Sequence, residues 1–384
     1  MMTTTRSPQI VRSAYVHVPF CQTICGYCDF YSVLVDRKAM HPLVDALIAD
    51  FDREVATRPV RLETIFVGGG TPTTLPPVEL RRLLSRLHAA ADPDRPLEFT
   101  VEANPATVTA EIAATLVESG VTRVSVGAQS FDPSELRVLE RIHQPPQVAQ
   151  TVQICRDAGI AQVNLDLIFA VPGQSVDSWR RNLEQAIAIG PDHLSCYALT
   201  YERGTPLFEQ REAGDVKALD EDTEADMYEL TIELLASAGY QQYEISNFAR
   251  PGCECRHNLV YWHNEPYLGI GPSAAGFVEE VRYKNIPDHR EYVRAVSESR
   301  SAWLSQEKLS PDQRARETMM LSLRLNEGLD RAAFRRRFGN DPTHLFGDAI
   351  EKHAELGLLV TTDDRIVLTP RGRLLANAVI ADYL

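Results

Sequence analysis

The first two hundred or so residues alternate short β-branched runs with helical patterns, which leaves few architectures open beyond parallel strands joined by crossover helices. The strand candidates are "AYVHV", "TIFVG", "LEFTVEA", "RVSVGA", "QVNLDLIF" and "HLSCYAL". Between them lie helices such as "LVDALIADFDREV", with Leu43, Leu47, Phe51 and Val55 on one face, and "VDSWRRNLEQAIAIG", ended by Gly190. Six strands in this pattern make a partial barrel or an open sheet.

The polar residues favour the barrel, because each strand candidate ends in an unusual residue at its C-terminal edge, where barrels gather their chemistry. A cysteine loop follows the first strand. The second ends in "GGGTPT", the third at Glu102 in "VEANP", the fourth at Gln129 in "GAQSF", the fifth at Asp166, and the sixth at Tyr197 and Thr200. Singly, each has a plain structural explanation: Gly68 to Gly70 form a turn, or Asp166 is a buried, hydrogen-bonded acid. Gathered at one rim, they point to a site. The expected fold is α/β, a partial (β/α)6 TIM-like barrel.

Past about residue 205 the alternation stops. A helix in "EADMYELTIELLASAGY" leads to packed loops rich in glycine, proline and aromatics, "YEISNFARPGCECRHNLVYWHNEPYLGIGPSAAGF". From Ser310 the pattern is helical again, with Ser310 as N-cap, Pro311 at the first helical position and Gln313 completing a capping box. "LDRAAFRRRFG" and "LFGDAIEKHAELG" follow, then a hairpin turned at Asp363 and Asp364, and "TPRGRLLANAVIADYL" as a closing helix. Three helices and a hairpin predict a winged-helix-like module. The expected division is 1–205 for the barrel, 206–305 for its extension and 306–384 for the C-terminal module.

The chain has 384 residues, with 39 Lys and Arg against 53 Asp and Glu, a net charge of -14. Such a surface disfavours long contact with a phosphate backbone, so Arg331, Arg335, Arg336 and Arg337 predict a solvated face or a protein contact rather than a DNA-binding surface. No apolar run is long enough to span a membrane, and the start, "MMTTTRSPQIVRSAY", has no secretory h-region, which predicts a cytoplasmic protein. In that reducing compartment clustered cysteines are metal ligands or redox groups more often than disulfides. Cys155 and Cys196 sit in apolar stretches as small core residues.

Cys21, Cys25 and Cys28 are crowded into one loop as C-x-x-x-C-x-x-C, with no fourth cysteine nearby. Structural zinc takes four protein ligands, so zinc needs His17, Cys253 or Cys255 as well. An iron–sulfur cluster held by three cysteines instead keeps one iron open for a small molecule. With "GGGTPT" at the second strand, "CQTICGYC" resembles the radical S-adenosylmethionine superfamily, whose members hold a [4Fe-4S] cluster with three cysteines. The resemblance implies that the amino and carboxylate groups of S-adenosylmethionine occupy the open iron, with one-electron cleavage to a 5′-deoxyadenosyl radical.

More narrowly, the first 290 or so residues resemble the branch that holds oxygen-independent coproporphyrinogen III oxidase and the HemW haem-chaperone family. The resemblance implies that Tyr15, Gly69 and Glu102 surround the cluster-bound S-adenosylmethionine. Tyr27, Gly70, Thr71, Gln129, Arg141 and Asp166 match positions that hold a second such molecule in the oxidase. For Arg141, on a helical stretch, the functional role rests wholly on the resemblance.

The oxidase pattern places another cysteine two residues after the third, whereas this loop runs Cys28, Asp29, Phe30. That departure, and the short N-terminal segment before Cys21, favour the chaperone branch over porphyrinogen chemistry. "HNLVYW", His257 to Trp262, matches the HNxxYW motif of that family. A neutral imidazole can ligate haem iron and flanking aromatics can pack on the macrocycle, so His257 is the expected haem ligand; its alternative role is a brace at the barrel mouth. The partners implied are haem and a haem-acceptor protein, with the acceptor's membrane association and homodimerisation left open.

Overall fold

A computed structural model describes residues 9–383. The expectation about a secretory signal therefore falls largely outside the described residues. The chain opens with β1 (Val11–Val18), and the loop after it contains a parallel pair of two-residue strands, β2 (Phe20–Cys21) and β3 (Val33–Leu34). The spine continues through β4 (Val60–Gly69), β5 (Glu98–Ala103), β6 (Arg123–Gln129), β7 (Gln162–Phe169) and β8 (His193–Ala198). Each sequence-predicted strand is there. Helices α1 (Arg37–Thr57), α2 (Pro77–His88), α3 (Ala110–Glu118), α4 (Pro133–Val138), α5 (Pro145–Ala158) and α6 (Val176–Ile189) form the crossovers. Gly190 ends α6 in the left-handed conformation, φ 68°, as its position predicts.

Beyond the barrel core come α7 (Pro206–Ala213), α8 (Glu221–Ser237) and three short strands, β9 (Gln241–Glu244), β10 (Asn247–Ala249) and β11 (Leu268–Ile270). They extend one sheet in the order β11-β1-β4-β5-β6-β7-β8-β10-β9, parallel except at β10 and β9. The sequence reading took this stretch for packed loops. These strands are only three or four residues long, and their pairing is set by tertiary contact rather than by periodicity.

Alternate side chains on the parallel strands have two fates. Val16, Val67, Val101, Val126 and Leu165 belong to the main apolar core. The intervening residues carry polar groups that bond across strands: Thr64 donates to Ser13 at 2.9 Å, and Asn164 to Ser125 at 2.7 Å and Ser195 at 3.2 Å. The interior of this barrel is thus hydrogen-bonded, unlike the branched apolar filling usual in closed TIM barrels.

The C-terminal part has its own core around Met319, Phe334, Ile350, Ile366 and Val379. It holds α11 (Pro311–Ser322), with the expected capping box at Ser310 and Gln313, and α12 (Arg331–Phe338), numbered after α9 (Arg256–Trp262) and α10 (His289–Ser297). The hairpin pairs Leu359–Thr361 with Arg365–Leu368. The closing segment is two helices, Pro370–Leu374 and Ala376–Ala381, rather than one, because Leu375 leaves helical geometry at φ -107°. Of the α12 arginines, Arg331 and Arg335 each contact Asp341 at 3.0 Å and Arg337 donates to the carbonyls of His263 and Asn264, while Arg336 is solvent-exposed. Residues 324–326 run along the outer edge of β9, where the Ile245 amide donates to the Arg324 carbonyl and the Asn326 amide to that of Tyr243.

Candidate functional site

The cysteine loop is held from several sides. The Cys28 amide donates to the Cys25 carbonyl at 3.1 Å, and the Leu207 amide of α7 donates to the Gly26 carbonyl at 2.8 Å. Cys25 is buried, while Cys21 and Cys28 are half-buried. Burial raises the thiol of Cys21 and pushes that of Cys28 up to about 11. These two thiols are therefore protonated at neutral pH without metal, and metal binding releases their protons.

A cavity of about 430 Å3 opens beneath the loop, lined by Cys21, Cys25, Cys28 and Tyr27 together with Gly69, Gly70, Thr71, Glu102, Gln129, Arg141 and Asp166. The structure thus brings together every residue the sequence assigned to cluster and S-adenosylmethionine except Tyr15. The strand register explains why: β4 to β7 run parallel in near alignment, so their C-terminal residues meet at one rim.

Two glycines are required by space. Gly69 has φ +103°, and a Cβ there would lie 2.3 Å from the His17 ring; a Cβ on Gly70 would lie 2.6 Å from the backbone carbonyl carbon of Pro19. Gly69→Ala is expected to cost about 2 kcal/mol in backbone strain alone and to weaken S-adenosylmethionine binding at least ~30-fold. Isothermal titration of the reconstituted protein reads this directly, and affinity within a factor of two of wild type would refute the steric account.

Glu102 accepts the Gly69 amide at 3.0 Å. Burial, with the charge of Asp166 adding to it, pushes its carboxyl up to about 8, so the group is mostly neutral at pH 7. Asp166 accepts from Ser125 at 2.9 Å and Asn164 at 2.8 Å, and burial raises its carboxyl too. Arg141 directs Nη1 to Cys25 Sγ at 3.7 Å and Nη2 to the Gly127 carbonyl at 2.6 Å. Its Nε is buried with no hydrogen-bond partner, and it forms no ion pair with a carboxylate among the described residues. A guanidinium so enclosed calls for an anion, and a thiolate-held cluster or a ligand carboxylate supplies one. Three cysteines on one cavity beside an enclosed guanidinium suit a thiolate-held cluster, while among the described residues no three His, Cys, Asp or Glu side chains close on a single metal ion. The donor set does not favour zinc: Cys255 contacts Glu98 at the start of β5, Arg123 at the start of β6 bonds the Cys253 carbonyl, and both ring nitrogens of His17 are engaged by Tyr15 and Tyr31.

Tyr15 and His257 line a second cavity of about 490 Å3, which shares Asp29, Phe30, Gly69, Glu102 and Tyr197 with the first. The Tyr15 hydroxyl contacts His17 Nδ1 at 2.9 Å. His257 is fully buried on α9, stacked on Phe66 with ring centroids 5.3 Å apart. Its Nδ1 contacts Thr64 Oγ1 at 2.9 Å and its Nε2 the Tyr261 hydroxyl at 2.9 Å, and burial lowers the imidazole to about 3. Both nitrogens are thus occupied, the geometry of a brace.

The sequence reading missed Ser125, Asn164, Phe66, Tyr267 and Lys284, which line or support the cavities. For two of them a signal existed: Asn164 lies two residues before Asp166 and Phe66 two before Gly68, so each shares the face of a flagged strand-end position. Ser125, four residues before Gln129 and across a register shift, had none. Tyr267 and Lys284 come from the extension, where no periodicity marks them.

Residues 15–186 match the family model of the Radical SAM superfamily, and residues 309–375 that of the HemN C-terminal domain. The coproporphyrinogen III oxidase HemN of Escherichia coli superposes with a TM-score of 0.85 over 99% of this chain and 91% of that one at 24% identity, which establishes the shared fold. Fold and cysteine loop together define the class, a radical S-adenosylmethionine protein, and that class implies a [4Fe-4S] cluster and S-adenosylmethionine. The chain is 33% identical to heme chaperone HemW of Bacillus subtilis, covering 97% of this chain and 99% of the relative, and 38% identical to heme chaperone HemW of Mycobacterium tuberculosis, covering 96% and 94%. It belongs to the HemW family. Among the described residues no helix is long and apolar enough to cross a membrane.

Proposed function

We propose that this chain is a haem chaperone, which binds haem and passes it to an acceptor protein. In this reading Cys21, Cys25 and Cys28 hold a [4Fe-4S] cluster. Gly69 and Glu102, with Tyr15 behind them, shape the pocket for S-adenosylmethionine on the open iron, while Gly70, Thr71, Tyr27, Gln129, Arg141 and Asp166 line the rest. When bound, the cluster supplies one-electron chemistry to the sulfonium. The chain's own residues orient and enclose it: the Gly69 amide fixes Glu102, and Arg141 balances the thiolate of Cys25.

The observation that carries the reading is the second cavity. It is walled by Tyr15, Phe66, Tyr261 and Tyr267 and abuts the cofactor cavity, so a flat apolar molecule and the cofactor can be held side by side. Phe30, 66% exposed at the boundary of both cavities, stands where the oxidase pattern has a further cysteine, which disfavours porphyrinogen decarboxylation. The acceptor, its association with a membrane, homodimerisation and residence in the cytoplasm belong to the same proposal.

Anaerobic cluster reconstitution followed by haemin titration and a coproporphyrinogen III turnover assay tests it on one preparation. Stoichiometric haemin binding without turnover is expected. Efficient conversion to protoporphyrinogen, or no haemin binding, would overturn it.

A further inference from the structure

We infer that His193, at the foot of β8 and lining neither cavity, is a positioning residue for Asp166 that acts through the side-chain amide of Asn164; this rests on the assignment of the first cavity to S-adenosylmethionine.

The strand register gathers the group. Side by side on β6, β7 and β8, Ser125 pairs with Asn164 and Asn164 with His193, while Asp166 pairs with Ser195 two residues further along. Of these, Ser125 and Asp166 reach the cavity, whereas Asn164 and His193 are buried below them, 3% and 1% exposed. The acceptors assign the hydrogens. Asn164 Nδ2 lies 2.8 Å from Asp166 Oδ1 and 2.7 Å from Ser125 Oγ, and Ser125 Oγ donates in turn to Asp166 Oδ2 at 2.9 Å. The oxygen of the amide therefore faces His193 Nδ1, at 2.7 Å. An amide oxygen only accepts, so Nδ1 carries the ring hydrogen. Burial, with the charge of Arg123 adding to it, keeps the imidazole neutral, so Nε2 is bare and accepts from the Tyr243 hydroxyl at 2.9 Å. The Tyr243 oxygen accepts from the amide of Cys255, the N-cap of α9, at 3.4 Å. Each donor thus points the same way, from Cys255 through Tyr243, His193 and Asn164 to the cavity carboxylate, an arrangement in which successive bonds strengthen one another.

His193 matters because an asparagine amide has two orientations of nearly the same shape, with nitrogen and oxygen exchanged. Reversed, Asn164 would set its oxygen against the Asp166 carboxylate, and a protonated Asp166 would hold it there by donating to it. The Nδ1 hydrogen of His193 forbids the reversal, since it requires an oxygen opposite. Ser195 Oγ also faces that oxygen, but at 3.4 Å, beyond the range of a strong bond. Held this way, both oxygens of Asp166 accept from the strand side, and their remaining lone pairs open on the cavity, where the ammonium, ribose hydroxyls and adenine amine of S-adenosylmethionine are all donors.

The test is isothermal titration of S-adenosylmethionine into the full chain after anaerobic cluster reconstitution, with iron content measured on every variant. His193→Leu fills the space of the ring but donates nothing, and is expected to weaken binding roughly tenfold with iron content unchanged. His193→Asn leaves a void, yet its amide puts a donor near the former Nδ1, and binding within about threefold of wild type is expected. A packing role would give the opposite order, because leucine fills the space better. Asn164→Asp, nearly isosteric, removes the donor to Asp166 with His193 in place and is expected to lose at least as much as His193→Leu. In an Asp166→Ala background the effect of His193→Leu is expected to vanish, since the positioned group is gone. Stronger binding by His193→Leu than by His193→Asn, wild-type affinity in Asn164→Asp or Asp166→Ala, or an undiminished effect of His193→Leu in the Asp166→Ala background overturns the inference and leaves the cavity assignment standing. Failure of the cluster-loaded wild type to bind S-adenosylmethionine overturns both.

Discussion

Replacing Glu135 with alanine is expected to lower the free energy of unfolding by about 3–4 kcal/mol, as read by chemical denaturation of the purified protein. The carboxylate is buried on α4 and accepts from Ser130 Oγ at 2.5 Å, Ser178 Oγ at 2.5 Å, Asn182 Nδ2 at 2.9 Å and Gln174 Nε2 at 3.0 Å. These donors come from the end of β6, the turn after β7 and α6, so one side chain ties three segments together. Its removal leaves four donors facing a space without an acceptor. Glu135→Gln fills that space but turns one acceptor into a donor, and about half the loss is expected. The damage reaches the cofactor cavity, because α4 leads directly into Glu140, held at φ 53°, and Arg141. A loss under 1 kcal/mol in the alanine variant would show that the donors find other partners.

Glu102 makes the stability of the cofactor-free protein fall as pH rises from about 4.5 to about 8. Below that window the carboxyl is protonated in both folded and unfolded chains, so it contributes no pH dependence. Within the window the unfolded chain ionises while the folded one holds its proton, which favours unfolding progressively; above about 8 both are ionised and the slope vanishes. The accumulated effect is on the order of a few kcal/mol. Asp166, also raised by burial, adds to it in the same direction. Glu102→Gln removes the larger contribution and relieves Asp166 of a neighbouring charge. Parallel stability profiles for wild type and variant across this range would sink the account.

Much of the site was legible because unusual residues fall at the C-terminal edges of the strand candidates. Once the six strands were placed, those edges named Glu102, Gln129 and Asp166, and parallel pairing had to bring them to one rim. Strand alternation would have added Asn164, two residues before Asp166, but not Ser125, which a register shift separates from Gln129. What the sequence hid were contacts fixed by distant chain: Thr64 against His257 spans 193 positions, and no local pattern announces it. The pairing of His257 with Tyr261 was within reach, since residues four apart share a helix face. Arg141 was unreadable for the opposite reason. A helical pattern suggested a solvent-facing residue, but the chain leaves α4 at Val138, and the backbone turn at Glu140 sends the guanidinium inward to Cys25.

The strip of chain at residues 324–326 along β9 bears on how this protein is made. An uncovered outer strand offers its amides and carbonyls to any extended peptide, including the same strand of another copy. Here the cover comes from chain that follows every strand of the sheet, so during translation the sheet is complete yet its margin stays adhesive until residue 326 has emerged. Chains cut before residue 324 are therefore expected to be less soluble than the full chain, as sedimentation of the expressed protein would show.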